Sequence, residues 1–159
     1  MKPVLTVALI AMTAYCVGCG TTKSDKAHVR DINPVGDAPL SVEESQEIVE
    51  HVVRYYVETA TPARHGGKAM VFLSFGEQNA DPTSDFLSRF DIPGVQIMPD
   101  STAAQQPEKV GVPNSTLHVR TVEATAPDEV SVVTLDPVRH RSTTVLRKIA
   151  GAWKVQRVL

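Results

Sequence analysis

The side chains that could do chemistry in this sequence are few and lie far apart. Its histidines stand alone, and none is part of an H-x-H, H-E-x-x-H or C-x-x-C arrangement. Such spacings are typical of metal sites because two ligands must reach one ion from the same strand, helix or turn. We therefore predict no histidine-based metal centre and no cofactor. The five histidines are His28, His51, His65, His118 and His140.

A serine nucleophile is the next possibility, and Ser74 is the residue that would provide it. The sequence around this serine does not have the G-x-S-x-G pattern of a nucleophile elbow, so it gives no catalytic motif. An enzyme that worked from a cavity would also need an acidic or histidine base inside it. The candidates for that base are His51, His118 and Glu123. Strand alternation that directed Leu117 inward would direct His118 outward and remove it.

Asp81 and Asp85 lie four residues apart and could share a calcium ion. Such a site needs about six to eight oxygens, and the neighbouring polar residues would have to supply most of them. The alternative needs no ion: Asp81 caps a helix whose first residue is Pro82, and Asp85 lies near the positive end of that helix. We favour the capping interpretation and predict no metal site here.

A ligand pocket beneath the predicted sheet would use aromatic and histidine side chains. His51 and Tyr55 lie one helical turn apart on the first predicted helix, and Tyr56 and Trp153 complete the set of candidate ligand-binding residues. The alternative places the pair His51 and Tyr55 at the edge of a buried face, where its polar atoms reach water or backbone.

Composition and charge give the broad class of protein. The chain has 159 residues, a hydrophobic share of 42% and a net charge of −2, which fits one globular domain and provides no basic surface for nucleic acid. One small cationic cluster, Arg139-His140-Arg141, follows Asp136-Pro137 in a predicted turn. It would meet a phosphate or an acidic headgroup, or else remain solvated, and the solvated turn is the simpler interpretation.

The elements that must position these residues follow from periodicity. Ser41-Val42-Glu43-Glu44 matches a capping box, and apolar residues then recur at helical spacing as far as Ala60. This pattern predicts one long amphipathic helix over residues 41–60, which Thr61-Pro62 ends. The continuous apolar run 69–75 predicts a strand that is buried on both faces, and a short helix follows Pro82.

Residues 116–158 are predicted to form an antiparallel sheet. Its four strands cover residues 116–124, 130–135, 142–149 and 153–158, and the last two are joined at Ala150-Gly151. The short spacing from strand to strand favours a meander. Residues 95–98 predict one more short strand, and residues 99–113 a loop. The predicted fold class is α+β, with one long N-terminal helix packed on a curved antiparallel meander and a short second helix.

The first 39 residues are predicted to lie outside this domain, which spans residues 40–159. Lys2 precedes an apolar run of about a dozen residues, a length typical of a signal peptide and too short for a membrane span. Small residues before Cys19 and a polar stretch after it resemble the lipobox of bacterial lipoproteins, although Cys16 stands where Leu is usual. The resemblance implies a signal peptide over residues 1–18, lipidation of Cys19 and a flexible tether over residues 19–39.

This resemblance also implies a location in the cell envelope. Both cysteines of the chain fall in the N-terminal segment, so the predicted domain has no disulfide framework. Gly20 follows Cys19 instead of the Asp that resembles an inner-membrane retention signal, which favours the outer membrane. The expected partners are the membrane, through the lipid, and an envelope protein. Plain secretion after an ordinary signal peptide is the alternative.

The order of the predicted elements resembles the cystatin-like and ketosteroid-isomerase-like cone folds. In those folds a curved sheet wraps around a helix, and the terminal Gly151-Ala152-Trp153-Lys154-Val155 is similar to the hairpin that often ends them. The stretch from Val71 to Phe90 also resembles one in uncharacterised bacterial proteins, and that resemblance implies no known activity.

These observations predict a lipid-anchored envelope protein with a non-catalytic binding or structural role. The alternative is a cone-fold carrier or enzyme that uses a cavity between helix 41–60 and the sheet. A carrier would have a deep pocket with convergent polar groups. A structural module would have that space filled by Val52, Tyr56, Phe72 and Trp153. A third possibility is an interaction module that exposes an apolar patch.

Overall fold

The computed structural model describes residues 40–61, 67–106, 112, 114–136 and 140–159, and the backbone of residues 26–27. It is a mixed α+β structure in which six strands form one curled sheet. In chain order the elements are β1 (Lys26–Ala27), α1 (Val42–Ala60), β2 (Ala69–Phe75), β3 (Asp81–Pro82), α2 (Ser84–Leu87), β4 (Val95–Pro99), a 3₁₀ helix (Asp100–Gln105), β5 (Asn114–Ala126), β6 (Glu129–Leu135), β7 (Arg141–Ile149) and β8 (Ala152–Val158).

The six-stranded sheet is mixed, and its antiparallel part is the meander predicted over residues 116–158. Its strand order is β4-β2-β5-β6-β7-β8, and β5 to β8 form an antiparallel meander. β2 runs parallel to both β4 and β5, a pairing that the local sequence pattern does not predict. All seven residues of β2 are buried, as predicted for the run 69–75, and such burial on both faces is typical of parallel strands.

α1 starts from a capping box. The Glu44 N–H donates to Ser41 Oγ at 3.0 Å, and the Ser41 N–H donates to Glu44 Oε2 at 3.4 Å. Two of the N–H groups at the start of the helix are thereby satisfied. The buried residues of α1 recur at helical spacing, and they are Ser45, Ile48, Val49, Val52, Val53 and Val57. The apolar ones among them pack against the sheet in one core cluster.

Alternation along β2 decides which of its side chains reach the core beneath α1. Val71, Leu73 and Phe75 belong to that core cluster. The residues between them point to the opposite face, and Phe72 and Ser74 are buried there. We call the face toward α1 the inner face of the sheet. On β5 it carries Leu117, Val119 and Val122, with a register shift after Val119 that moves the alternation by one residue.

The β7–β8 turn has the conformation that its sequence predicts. Ala150 and Gly151 have φ angles of 52° and 84°, which is the left-handed region used by two-residue hairpin turns of type I′. Glycine adopts this region at no steric cost, whereas alanine does so against its preference. The predicted hairpin at Ala150-Gly151 is therefore confirmed.

The hairpin closes one end of the interface between α1 and the sheet. Lys148 Nζ donates to Glu44 Oε1 in the first turn of α1 at 2.8 Å and lies 5.5 Å from the centroid of the Trp153 ring. Trp153 and Leu146 are 1% and 0% exposed. These four residues define what we call the hairpin end, where side chains fill the space and tie the sheet to the start of the helix.

α2 differs from its prediction at its first residue. Thr83 is the N-cap, because its Oγ1 accepts the Phe86 N–H at 3.3 Å, so the prediction that Asp81 caps this helix was wrong. Asp81 and Pro82 instead form β3, which pairs in parallel with β1 inside the predicted tether. Phe86 is buried and meets the Phe75 ring edge-on at 5.5 Å, which anchors α2 to β2.

Candidate functional site

The inner face of the sheet changes character from one end of the strands to the other. Along β6 the buried apolar residues Val130 and Val132 are followed by Thr134, and Asp136 comes directly after the strand. β7 shows the same change in the opposite chain direction, from Leu146 to Thr144 and Ser142. Because β6 and β7 are antiparallel, with Thr134 opposite Ser142, the polar residues of both strands meet at one end of the sheet.

A pocket of about 210 Å³ lies at this polar end, between the second half of α1 and the sheet. Tyr55, Tyr56 and Thr59 of α1 line it on one side, and Thr134, Ser142 and Thr144 on the other. Its apolar surface comes from Val52, Ala60, Leu117 and Val158. We call this cavity the helix–sheet pocket. Enclosed apolar surface with a few convergent polar groups is what small-molecule sites have in common.

Tyr56 and Asp136 give the helix–sheet pocket its electrostatic character. Burial raises the pKa of the Tyr56 hydroxyl above its usual value of 10.0, the neighbouring Ser115 hydroxyl works against this shift, and the negative charge of Asp136 adds to it. Tyr56 is therefore a neutral phenol near pH 7 and can both donate and accept a hydrogen bond. Asp136 is itself one of the residues that line the pocket.

The Asp136 carboxylate is held in place by the chain that follows it. Its Oδ1 accepts the His140 N–H at 2.8 Å, and its Oδ2 lies 3.4 Å from His140 Nδ1. The carboxylate is about two-thirds buried, with an exposed fraction of 33%. A buried and oriented carboxylate of this kind can bind a partner without first losing much side-chain freedom.

The structure brings two of the four predicted ligand-binding residues to the helix–sheet pocket. Tyr55 and Tyr56 line it. His51 lies on the solvent side of α1, where its side chain is 41% exposed and its Nε2 is 3.8 Å from Glu47 Oε1. Trp153 belongs to the core at the hairpin end, away from the pocket. His51 and Tyr55 lie one helical turn apart, but His51 faces solvent beside the buried face of α1, whereas Tyr55 lines the pocket.

The space between α1 and the sheet is thus divided between the two arrangements that the sequence left open. Trp153 fills it at the hairpin end, whereas Val52 and Tyr56 line the helix–sheet pocket. Phe72 takes no part in either, because it lies on the opposite face of β2. The helix–sheet interface is filled at one end and has a pocket at the other.

The two aspartates considered for calcium have separate environments. Asp81 Oδ1 accepts the Ser101 N–H at 3.1 Å, and its other oxygen accepts the Ser101 hydroxyl, so this carboxylate fastens the 3₁₀ helix to β3. Asp85 is exposed in the first turn of α2. Among the described residues, no three His, Cys, Asp or Glu side chains are grouped as metal ligands would be.

On the opposite face of the sheet, the structure joins a serine, a histidine and an aspartate. Ser74 Oγ hydrogen-bonds to His118 Nδ1, and Asp100 Oδ2 lies 4.0 Å from the same nitrogen. A catalytic triad needs the serine and the aspartate on opposite ring nitrogens, so that the imidazole can take the serine proton while the aspartate orients it. Because both partners meet Nδ1 and Ser74 is fully buried, we interpret this cluster as a link between β2, β5 and the 3₁₀ helix.

The remaining candidates for a base lie away from the helix–sheet pocket. His118 faces away from α1, since its neighbours Leu117 and Val119 reach the core, and this is the outcome that strand alternation predicts. Glu123 is exposed on β5. Within the cluster Arg139-His140-Arg141, His140 contacts Asp136 and Arg141 is exposed. The candidates Cys16, Cys19, His28, His65 and Arg139 lie outside the described residues.

A second and more open depression of about 310 Å³ lies at the start of β2 and β4. Lys68, Met70, Gln96 and Val112 are among its lining residues. It has no aromatic ring and no carboxylate among the described residues that line it, so it offers a ligand fewer specific contacts. The helix–sheet pocket is therefore the better candidate site.

The polar strand residues of the helix–sheet pocket are not among the site residues predicted from the sequence. Local patterns predict ordinary strand positions for Thr134, Ser142 and Thr144 and a turn for Asp136 with Pro137. A signal was present in the alternation, because the inward positions 130, 132, 134 and 136 are Val, Val, Thr and Asp. Hydroxyl and carboxyl groups at positions that continue a core face indicate a polar cavity.

Comparison of the chain with models of protein families, with curated proteins and with solved structures finds no match. Among the described residues, no helix is both long and apolar enough to span a bilayer.

Proposed function

We propose that this protein is a lipid-anchored protein of the bacterial cell envelope whose domain binds a small organic molecule in the helix–sheet pocket. The observation that carries the proposal is the convergence of tyrosine, threonine and serine hydroxyls with the Asp136 carboxylate around an otherwise apolar pocket of about 210 Å³. A purely structural module would gain stability by filling this space with apolar side chains, as at the hairpin end.

The proposal includes a fold of the cone type, in which the curled sheet wraps around α1. Supporting it are the position of the core between α1 and the inner face, and the terminal hairpin that packs on the first turn of the helix. In such an arrangement the helix crosses the sheet, and the space between them is filled only where side chains from both meet. A pocket at one end of the helix follows from this geometry.

The pocket is tested by filling it. Thr144 is 4% exposed and lines the pocket, so Thr144→Leu adds apolar volume there, whereas Thr144→Val keeps the size and exchanges the hydroxyl for a methyl group. A ligand at about 100 times its dissociation constant adds about 2.7 kcal/mol to stability, which thermal melts of the full chain against a panel of small metabolites would detect. We expect a hit whose shift is lost in Thr144→Leu and kept in part in Thr144→Val, where the other hydroxyls of the pocket remain.

The melts without ligand provide the control, because Thr144→Leu must still unfold cooperatively to be informative. Two results would contradict the pocket function. One is a panel in which no compound shifts the melt of the full chain. The other is a hit whose shift survives Thr144→Leu unchanged, since that ligand would bind elsewhere.

The anchor rests on the sequence around Cys19 and is tested separately. Lipidation requires the Cys19 thiol, so Cys19→Ser should move the protein from the membrane fraction to the soluble fraction of bacterial cells and remove the mass of the acyl groups. Cys16→Ser is the matched control, because it changes the neighbouring cysteine and should leave the protein in the membrane fraction. Identical fractionation of the native and Cys19→Ser proteins would rule out this anchor.

A further inference from the structure

We infer that the molecule bound in the helix–sheet pocket is a small monocation with an apolar body, such as a primary amine carried on an aromatic or branched group. The inference rests on the proposed pocket function and adds the chemical class of the ligand. It follows from the charge, the aromatic surface and the size of the pocket.

The pocket has a carboxylate in its lining. Among the described residues that line the helix–sheet pocket, Asp136 is the one with an ionised side chain, and the others are apolar or carry neutral hydroxyls. Two contacts to His140 fix the carboxylate at the end of β6. An anionic ligand would meet this negative charge in a partly buried site, which is unfavourable, whereas an ammonium group would form a charge-assisted hydrogen bond with it.

The aromatic surface points to the same ligand class. Tyr55 and Tyr56 place two rings on the helix side of the pocket, and the faces of aromatic rings attract cations. Asp136 lines the same pocket, and its negative charge adds to the raised pKa of Tyr56. A bound ammonium group would therefore find a carboxylate and tyrosine rings in one cavity, where Val52 and Leu117 offer apolar surface to the rest of the ligand.

Size sets the upper limit of the ligand. A volume of about 210 Å³ corresponds to about seven water molecules at about 30 Å³ each. A single aromatic ring with a short aminoalkyl chain fits this space, and a nucleotide or a lipid tail does not. The pocket therefore has the size to hold one small amine.

The test uses three probes with the same phenylalkyl frame and different charges: phenethylamine, phenethyl alcohol and hydrocinnamate. Dissociation constants are measured on the full chain by ligand-detected NMR at neutral pH. A hydrogen bond to a charged group contributes enough that the amine should bind about ten- to a hundredfold more tightly than the alcohol. We expect the anionic hydrocinnamate to be the weakest of the three.

Asp136→Asn is the decisive variant, because the amide oxygen can still accept the His140 N–H while the charge is gone. It should lower the affinity for phenethylamine to that for phenethyl alcohol and leave the alcohol unchanged. Asp128→Asn is the matched control: it removes one negative charge from an exposed carboxylate in the β5–β6 turn and should change none of the three affinities.

The possible results separate this inference from the pocket function. If phenethyl alcohol or hydrocinnamate binds as tightly as the amine and loses binding in Thr144→Leu, the pocket function stands and the cationic ligand class is refuted. If Asp136→Asn weakens all three probes equally, the ligand class is refuted as well. If none of the probes and no compound of the wider panel binds, the inference and the pocket function both fail.

Discussion

The interface between α1 and the sheet is filled by side chains at one end and has a pocket at the other, although the same elements form both ends. At the hairpin end, Leu146 and Trp153 fill the space, and the pair of Glu44 and Lys148 fastens its rim. At the other end, the same strand β7 presents Thr144 and Ser142, and a pocket remains. The backbone continues through both ends, so the difference comes from the side chains at alternate positions of the strands.

This contrast shows how a small domain can combine a stable core with a polar cavity. Burial of apolar surface stabilises the hairpin end and excludes water from it. The hydroxyl groups at the pocket end require hydrogen-bond partners, so burying them in an apolar interface without partners would cost free energy. The core at one end can therefore hold the helix on the sheet while the other end stays available to a ligand.

The largest expected effect comes from truncating one residue at each end of the same strand. Leu146→Ala removes a fully buried side chain and should lower the free energy of unfolding by about 2–5 kcal/mol. Thr144→Ala, two residues earlier on the same face, removes a hydroxyl and a methyl group beside an existing cavity and should cost about 1 kcal/mol. Chemical denaturation followed by the fluorescence of Trp153, the one tryptophan of the chain, measures both.

Equal losses of unfolding free energy in the two variants would contradict this difference, because they would mean that both ends are packed alike. A larger loss in Thr144→Ala would reverse it. Val158→Ala serves as a control at the pocket, since Val158 is 43% exposed and its truncation should cost less than that of Leu146.

The pocket end should respond to alkaline pH. The pKa of Tyr56 is raised in the folded protein by burial, above its usual value of 10.0. The unfolded chain then loses this proton first, so the stabilising contribution is present below about pH 10 and is lost as the pH rises through the folded pKa. Tyr56→Phe should flatten the fall of stability in alkaline denaturation series.

Lys148 also makes stability fall as the pH rises in the alkaline range, because its hydrogen bond to Glu44 raises its pKa above the usual 10.5. The native protein must therefore be compared with Tyr56→Phe, since both retain Lys148 and differ at the tyrosine hydroxyl. Superimposable stability curves for the two proteins between neutral and strongly alkaline pH would show that Tyr56 is not buried as described.

At the hairpin end, the free energy of unfolding should fall in acid, and this is the smallest of the expected effects. The hydrogen bond from Lys148 lowers the pKa of Glu44 below its usual 4.5, although partial burial works against this shift. The contribution to stability is therefore present above about pH 4.5 and is lost as the pH falls through the folded pKa. Glu44→Gln keeps an oxygen for the capping box and should remove this part of the acid dependence.

Both side chains of this pair are 36% exposed, so solvent weakens their attraction and the change should be small. Glu43→Gln, in the same turn of α1, is the matched control. A Glu43→Gln variant that altered the acid dependence as much as Glu44→Gln would show that the contact with Lys148 contributes nothing specific.

Local sequence patterns predicted much of the sheet and little of the candidate site. The apolar run of β2, the four strands of the meander and the turn at Ala150-Gly151 follow from alternation and turn preferences, and the structure contains each of them. The place of β2 between β4 and β5 did not follow, because pairing between distant strands leaves no mark in the local pattern. Tyr55 and Tyr56 were predicted as ligand-binding residues, but Asp136, Thr134 and Thr144 were not.

The positions of the strands in the six-stranded sheet, the burial of β2 on both faces and the turn of the last hairpin follow from the sequence alone. These features depend on neighbouring residues, whose periodicity and turn preferences act over a few positions. The parallel pairing of β2 with two partners depends on tertiary packing, as does the meeting of Tyr56, Thr144 and Asp136 in one pocket. These three residues come from a helix, a strand and the end of another strand, far apart in the chain, and only the packing of α1 on the curled sheet brings them together.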